Sequence, residues 1–103
     1  MSVVVVATIH PAPEHRAEVV SLFEETIATV HANDAGCELY AMHEDTDTLV
    51  MIEKWSSAED LESHRVSETM KSLDPKLEGK LSAKTVVKIY QPHPAGTQEQ
   101  GTI

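Results

Sequence analysis

The amino-acid sequence predicts an α+β domain of the ferredoxin-like kind, in which one antiparallel sheet carries its helices on one face. Four stretches are rich in β-branched and other apolar residues, as strands are, and they cover residues 3–9, 37–44, 49–55 and 84–90. Apolar residues at helical spacing separate the first stretch from the second, and the third from the fourth. The resulting order, β-α-β-β-α-β, is that of the ferredoxin-like fold.

Two prolines divide the first strand from the first helix. Residues 3–9 are almost all β-branched or apolar, which is typical of a central strand buried on both faces. Pro11 and Pro13 end this strand, because proline fixes φ and has no backbone donor. From Glu14 the apolar period becomes helical, and the predicted buried stripe is Val20, Phe23, Ile27 and Val30. We expect the helix to end at residues 33–36, which tolerate the left-handed conformation.

The second and third strands form a predicted hairpin around the polar turn at residues 45–48. In the second strand, Tyr40 and Met42 share one face, and the other face carries Leu39, Ala41 and His43. In the third strand, one face carries Leu49, Met51, Glu53 and Trp55. These alternations decide which side chains can reach a common cavity.

The second half of the sequence predicts a capped helix and a last strand. Ser56 and Glu59 fit a capping box, and the helix is expected to run to about Met70. Asp74-Pro75 is expected to break it, followed by a short helical turn at Leu77 to Leu81. Strand residues 84–90 complete a single domain at 1–92. Residues 93–103, rich in Pro, Gly, Gln and Thr, predict a flexible tail or an arm laid on a partner.

Composition excludes several classes of function. The chain has 103 residues, enough for one domain, and its net charge is 8 − 17 = −9, so nucleic acid and anionic membranes are poor partners. The lone Cys37 has no partner for an internal disulfide. The first residues show neither a basic signal-peptide start nor an apolar run long enough for a membrane span, and we expect a cytoplasmic protein.

The apolar content of the strands predicts a homodimer. Val, Ile and Leu occupy both faces of the first, third and fourth strands, whereas the helices can cover only one face. No spare element of the chain is available for the other face. A second copy, packed sheet against sheet, is therefore the expected cover.

Three consecutive motifs resemble those of the antibiotic biosynthesis monooxygenase family. They are residues 36–43 (GCELYAMH), residues 49–55 (LVMIEKW, with its E-x-W) and residues 56–64 (SSAEDLESH), whose His follows the Trp by nine positions. The resemblance implies a dimeric α+β barrel with a small apolar cavity between sheet and helices. It also implies oxygenation of quinols or anthrones without metal or flavin in some members, and haem degradation, isomerisation or no known activity in others.

The candidate catalytic residues are His64 and Glu53. His64 lies at the margin of the apolar face of its helix, where it is either a general base at the cavity mouth or a surface histidine paired with Asp60 and Glu68. Glu53 shares an apolar strand face, so it is either a second acid–base group or a buried acid with a partner.

The candidate substrate-binding residues surround these two. They are Trp55, Met51, Leu61, Tyr40 and His43, although Tyr40 and His43 lie on opposite faces of one strand and only one of them can face a given cavity. Trp55 is either an aromatic wall or a structural plug. About 12 Å of helix rise separates Ser56 from His64, and the ferredoxin-like order folds this helix back over the sheet, so we expect a flat two- or three-ring ligand to bridge Trp55 and His64.

The family resemblance implies a cofactor-free monooxygenase acting on a small hydroxylated aromatic. No metal is expected, because the histidines lack ligand spacing, and no nucleotide cofactor, because a phosphate-binding glycine loop is missing. The alternatives are a non-catalytic dimer that binds a small apolar ligand and an isomerase that uses the same pocket. The enzyme hypotheses require His64 or Glu53 inside the cavity, and a plain binding protein requires neither.

Overall fold

A computed structural model describes residues 1–103 and has the predicted order of elements. Along the chain these are β1 (Val3–Pro11), a 3-10 turn (Pro13–His15), α1 (Arg16–Asn33), β2 (Cys37–Glu44), β3 (Leu49–Trp55), α2 (Ala58–Arg65), α3 (Glu68–Leu77), β4 (Leu81–Tyr90) and α4 (Gln98–Gly101). The strands form one sheet in the order β2-β3-β1-β4, and each neighbouring pair is antiparallel. The ferredoxin-like α+β fold is thereby confirmed.

The core lies between one face of the sheet and helices α1, α2 and α3. Strand β1 is central, as predicted, and buries Val5, Ala7 and Ile9 against the helices. The prediction that β1 is buried on both faces is wrong for the single chain, because Val4 and Val6 on the opposite face are only half-buried. We call the helix-covered side of the sheet its inner face and the opposite side its outer face.

Helix α1 packs on the inner face with a stripe rotated slightly from the predicted one. The buried residues are Val19, Phe23, Thr26 and Val30, so Phe23 and Val30 are confirmed. Val20 and Ile27 lie at the edge of the stripe and are half-buried. Because a helical turn has 3.6 residues, the predicted residues and the observed ones both lie along one side of α1. The observed stripe differs in burying Val19 and the small side chain of Thr26 instead of Val20 and Ile27.

The cap of α2 is displaced by one residue from the prediction. Ser57, rather than Ser56, is the N-cap, and its Oγ accepts a hydrogen bond from the backbone N of Asp60 at 3.1 Å. The carboxylate of Asp60, rather than that of Glu59, reaches back and accepts hydrogen bonds from the hydroxyls of Ser56 and Ser57. Both serines therefore fix the start of α2.

The predicted single helix after the hairpin is in fact two helices. The break comes at Val66 and Ser67, where Ser67 caps α3 by accepting a hydrogen bond from the backbone N of Met70 at 3.3 Å. Pro75 does not break α3, because it lies in the last turn, where its missing N–H removes only one helical bond. Leu81 begins β4 rather than extending a helical turn.

A close contact at Gly36 docks α2 onto the turn between α1 and β2. The backbone N of Ser56 donates to the carbonyl of Gly36 at 2.9 Å. The Asp60 side chain lies directly over Gly36, in the space that a Cβ atom would occupy. Only glycine permits this approach, which brings the first turn of α2 beside the end of α1.

Strand β4 and the residues after it are the least covered part of the chain. Val86 and Tyr90 on the outer face, and Val87 and Ile89 on the inner face, are each 47–57% exposed. The tail predicted as flexible contains one helical turn, α4, and Lys54 Nζ donates to the backbone O of Ile103 at 2.8 Å. None of the helices combines the length and apolarity needed to cross a bilayer.

Candidate active site

A cavity of about 360 Å³ lies between the inner face of the sheet and helices α2 and α3. Its floor is formed by side chains of β1 and β3, and its roof by side chains of α2 and α3, among them Leu61, Met70 and Leu73. It opens along β4, whose Thr85, Val87 and Ile89 form one side. Most of the lining is hydrophobic, which suits a flat apolar ligand.

One end of this cavity is polar. Tyr40, Glu53 and His64 line it, and all three are at least 94% buried. Tyr40 and Glu53 are directly opposite each other on β2 and β3, and the rings of Tyr40 and His64 lie 5.2 Å apart in an edge-to-face arrangement. The Tyr40 hydroxyl, Glu53 Oε2 and His64 Nε2 make no hydrogen bond within the chain. Because every fully buried polar side-chain atom has a partner, these three atoms keep some accessible surface, and all three residues line the cavity.

His64 is held by Asp34 and not by the acids that the sequence suggested. Its Nδ1 lies 2.9 Å from Asp34 Oδ2, and the two side chains are 4% and 16% exposed. Asp60 is engaged in the cap of α2, and Glu68 lies on the next helix, where it pairs with Lys71 at 3.9 Å. The structure therefore makes His64 a buried cavity residue, and the surface-histidine alternative is wrong.

Sequence reasoning missed Asp34, although a signal for it was available. In a ferredoxin-like sheet the first residues of β2 lie beside the last residues of β3, and Cys37 here pairs with Trp55. The helix that follows Trp55 must then begin next to the turn that precedes Cys37. An acidic residue in that turn is within reach of a histidine on the second turn of α2.

Trp55 lies behind His64 rather than at the cavity surface. It is fully buried and does not line the cavity, and its ring centroid is 4.5 Å from that of His64. Its Nε1–H donates to Glu53 Oε1 at 2.9 Å. The expectation that a ligand bridges Trp55 and His64 is therefore wrong, because Trp55 does not line the cavity and its ring packs directly against that of His64.

The remaining predicted site residues divide between the two faces of the sheet. Met51 and Leu61 line the cavity. His43 pairs with Val50 on the outer face and is exposed, so it does not contact the cavity. The open question about β2 is thus settled: Tyr40 faces the cavity and His43 faces away from it. No group of three His, Cys, Asp or Glu side chains is arranged to hold a metal ion.

Burial changes the protonation of the two groups next to His64. Desolvation raises the pKa of Glu53 to about 7, and the hydrogen bond from Trp55 opposes this rise only in part. Desolvation, together with the nearby Glu53 carboxylate, also raises the pKa of the Tyr40 phenol. Near neutral pH the polar end thus offers a carboxyl group poised between its two protonation states, a phenol donor and an imidazole nitrogen.

Replacing Glu53 with Gln is expected to change how stability depends on pH. The folded chain holds the Glu53 proton more tightly than the unfolded chain, so stability falls as pH rises from the ordinary glutamate pKa of 4.5 through about 7. The loss due to this group is about 3 kcal/mol. Glu53→Gln, which keeps an acceptor for Trp55, is expected to abolish that loss in urea denaturation at about pH 5 and about pH 8.

The matched control is Glu38→Gln, which changes a more exposed acid on the neighbouring strand. It is expected to keep the pH dependence of the wild type. The same pH dependence in the wild type and Glu53→Gln would contradict the assignment of a proton to buried Glu53.

The chain matches one protein family and several solved structures. The model of the antibiotic biosynthesis monooxygenase family matches residues 2–73. A conserved protein from Methanosarcina mazei Go1 is 26% identical, with a TM-score of 0.81, over 88% of this chain and 92% of that one. PA3566 from Pseudomonas aeruginosa is 26% identical, with a TM-score of 0.78, over 87% and 93%.

The fold extends to more distant structures. Rv0793 from Mycobacterium tuberculosis is 23% identical, with a TM-score of 0.85, over 94% of this chain and all of that one. A search of curated proteins finds no match. The family match at residues 2–73 includes all the polar residues described above, Asp34, Tyr40, Glu53 and His64. This chain belongs to the antibiotic biosynthesis monooxygenase family.

Proposed function

We propose that the protein is a cofactor-independent monooxygenase of a small hydroxylated aromatic, such as a quinol or the enol form of an anthrone. The observation that carries the proposal is the position of His64 and Glu53 at one end of a mostly apolar cavity, whose other polar lining residues are Arg65, Asp74 and Thr85. A protein that only binds an apolar ligand has no need for two buried titratable groups there, because burying such groups costs free energy. Family membership supports the same reaction class.

The reaction begins with removal of a proton by His64. Nε2 accepts the proton of the ring hydroxyl, and the resulting anion is rich enough in electrons to give one of them to O₂. The two radicals combine at the ring carbon to form a peroxide, which takes up a proton. The remaining C–H proton then leaves, the O–O bond breaks and water departs. One oxygen atom ends as a carbonyl and the other as water, so O₂ accepts the four electrons that the carbon loses.

Glu53 and Tyr40 act on the oxygen atoms of the substrate. Glu53 in its protonated form donates a hydrogen bond to the carbonyl or peroxide oxygen, and the Tyr40 phenol is a second donor on the opposite strand. Met51 and Leu61 keep water away from the anion. Trp55 supports the site from behind by fixing Glu53 and stacking on His64.

Oxygen uptake with a quinol or anthrone, in buffer treated with a chelator, tests the proposal. The wild type is expected to consume one O₂ per substrate and to place one labelled oxygen atom in the product. His64→Ala is expected to lower kcat by at least about 100-fold, because the base is lost. His43→Ala, which removes an exposed histidine from the outer face, is the matched control and is expected to retain activity.

Two outcomes would contradict the proposal. If His64→Ala retained wild-type turnover, His64 would not be the base. If the wild type converted substrates without consuming O₂, the isomerase alternative would replace the oxygenase, since it uses the same pocket and the same proton acceptor.

We also propose that two copies pack outer face against outer face. The apolar residues of this face cross three strands, from Ile52 through Val4 and Val6 to the half-exposed Val86 and Tyr90. Their cover by a second sheet removes apolar surface from water. Sedimentation equilibrium at micromolar concentration is expected to give twice the chain mass of 11.3 kDa, and a mass of one chain would contradict the dimer.

A further inference from the structure

We propose that Asp34 is a positioning residue of this site: its carboxylate holds the Nδ1–H of His64, so that Nε2 faces the cavity as the proton acceptor. The inference rests on the proposed function, because it explains how His64 becomes competent as a base. It adds a residue from the turn after α1 that neither the sequence motifs nor the cavity lining contains.

The hydrogen bond determines where the imidazole proton lies. A carboxylate is an acceptor only, so the 2.9 Å contact between Asp34 Oδ2 and His64 Nδ1 requires a proton on Nδ1. In the neutral ring the lone pair is then on Nε2. This nitrogen makes no hydrogen bond within the chain, and the cavity is the accessible space that His64 contacts. The tautomer fixed by Asp34 is therefore the one that can remove a proton from a ligand.

Both members of the pair are held by surrounding structure. The His64 ring packs against both the Trp55 ring, at 4.5 Å, and the Tyr40 ring, at 5.2 Å, and these two rings are themselves 6.1 Å apart. The backbone N of Asp34 donates to Val30 at 2.9 Å, and its carbonyl accepts from Cys37 at 3.0 Å. Hydrogen bonds on each side of Asp34 thus fix the turn that presents its carboxylate, and little reorganisation is needed when a proton arrives at Nε2.

A second histidine–acid pair in the chain shows what an ordinary surface pair looks like. His15 Nδ1 and Glu18 Oε1 are 3.4 Å apart, and their side chains are 39% and 54% exposed. This pair joins neighbouring turns of chain and does not line the cavity that His64 lines. The Asp34–His64 pair is shorter, formed across 30 residues of sequence and far less exposed, at 16% and 4%, which are the features expected of a pair that positions a reactive group.

Asp34 also lies where it can stabilise the product of the proton transfer. When Nε2 accepts a proton, His64 becomes an imidazolium, and a buried carboxylate bonded to Nδ1 offsets the cost of that charge. Removal of the carboxylate is therefore expected to slow turnover more than it weakens substrate binding. This difference separates a positioning role from a general loss of cavity shape.

Nuclear magnetic resonance of the ¹⁵N-labelled imidazole groups tests the tautomer without any turnover. His64 signals, assigned by their loss in His64→Ala, are expected to show the Nδ1–H tautomer in the wild type at a pH where the ring is neutral. Asp34→Asn and Asp34→Ala are expected to shift the population toward Nε2–H. Glu18→Gln, which changes the surface pair, is the matched control and is expected to leave the His64 signals unchanged.

Kinetics with a quinol or anthrone supply the second readout. Asp34→Asn, which is close in size to the wild-type side chain, is expected to lower kcat by about 100-fold and to change KM by less than about threefold. In a His64→Ala background, the same substitution is expected to have no further effect, because Asp34 acts through His64.

The outcomes separate this inference from the proposed function. A wild-type Nε2–H tautomer, or one unchanged in Asp34→Asn, would overturn the role of Asp34 whatever the activity. If Asp34→Asn lowered kcat by the same factor in the wild type and in His64→Ala, the role of Asp34 would also be overturned, because its effect would then not act through His64. If the tautomer shifts as expected and no substrate consumes O₂, the positioning of His64 stands and the oxygenase function fails.

Discussion

The candidate site depends on the close packing of α2 against the turn between α1 and β2. Gly36 permits this packing, because the Asp60 side chain occupies the space that any Cβ atom would need. The contact places the second turn of α2 over the sheet, with His64 next to Asp34 on one side and Trp55 on the other. A histidine on an amphipathic helix becomes a buried and oriented group only through this docking.

The polar end of the cavity is stable because the side chains that form and surround it are joined by hydrogen bonds and ring contacts. The Trp55 indole donates to Glu53, Asp34 accepts from His64, and the aromatic rings of Tyr40, Trp55 and His64 pack in contact. Among the residues that line the cavity, Tyr40, Glu53 and His64 each keep one polar atom without a hydrogen bond in the chain, and that atom remains available to a ligand. The apolar remainder of the cavity excludes water and strengthens these interactions.

Much of this arrangement was predictable from local sequence, and the rest depended on contacts between distant segments. Strand alternation placed Met51, Glu53 and Trp55 on one face, and the structure confirms that they share the inner face. The partner of His64 was not predictable from helical spacing, since Asp60 is used by Ser56 and Ser57 and the acid that binds lies 30 positions away. Likewise, local sequence left Trp55 as either a cavity wall or a structural plug, and the structure buries it against His64 outside the cavity lining.

A crystal structure with an unreactive hydroxyanthraquinone bound tests the central claim most directly. The account predicts that the ligand lies in the cavity between the sheet and helices α2 and α3, with its hydroxyl within about 3 Å of His64 Nε2 and an oxygen atom facing Glu53. The bond between Asp34 and His64 Nδ1 is expected to remain intact. A ligand bound on the outer face of the sheet, or in the cavity with its hydroxyl turned away from His64, would contradict the account.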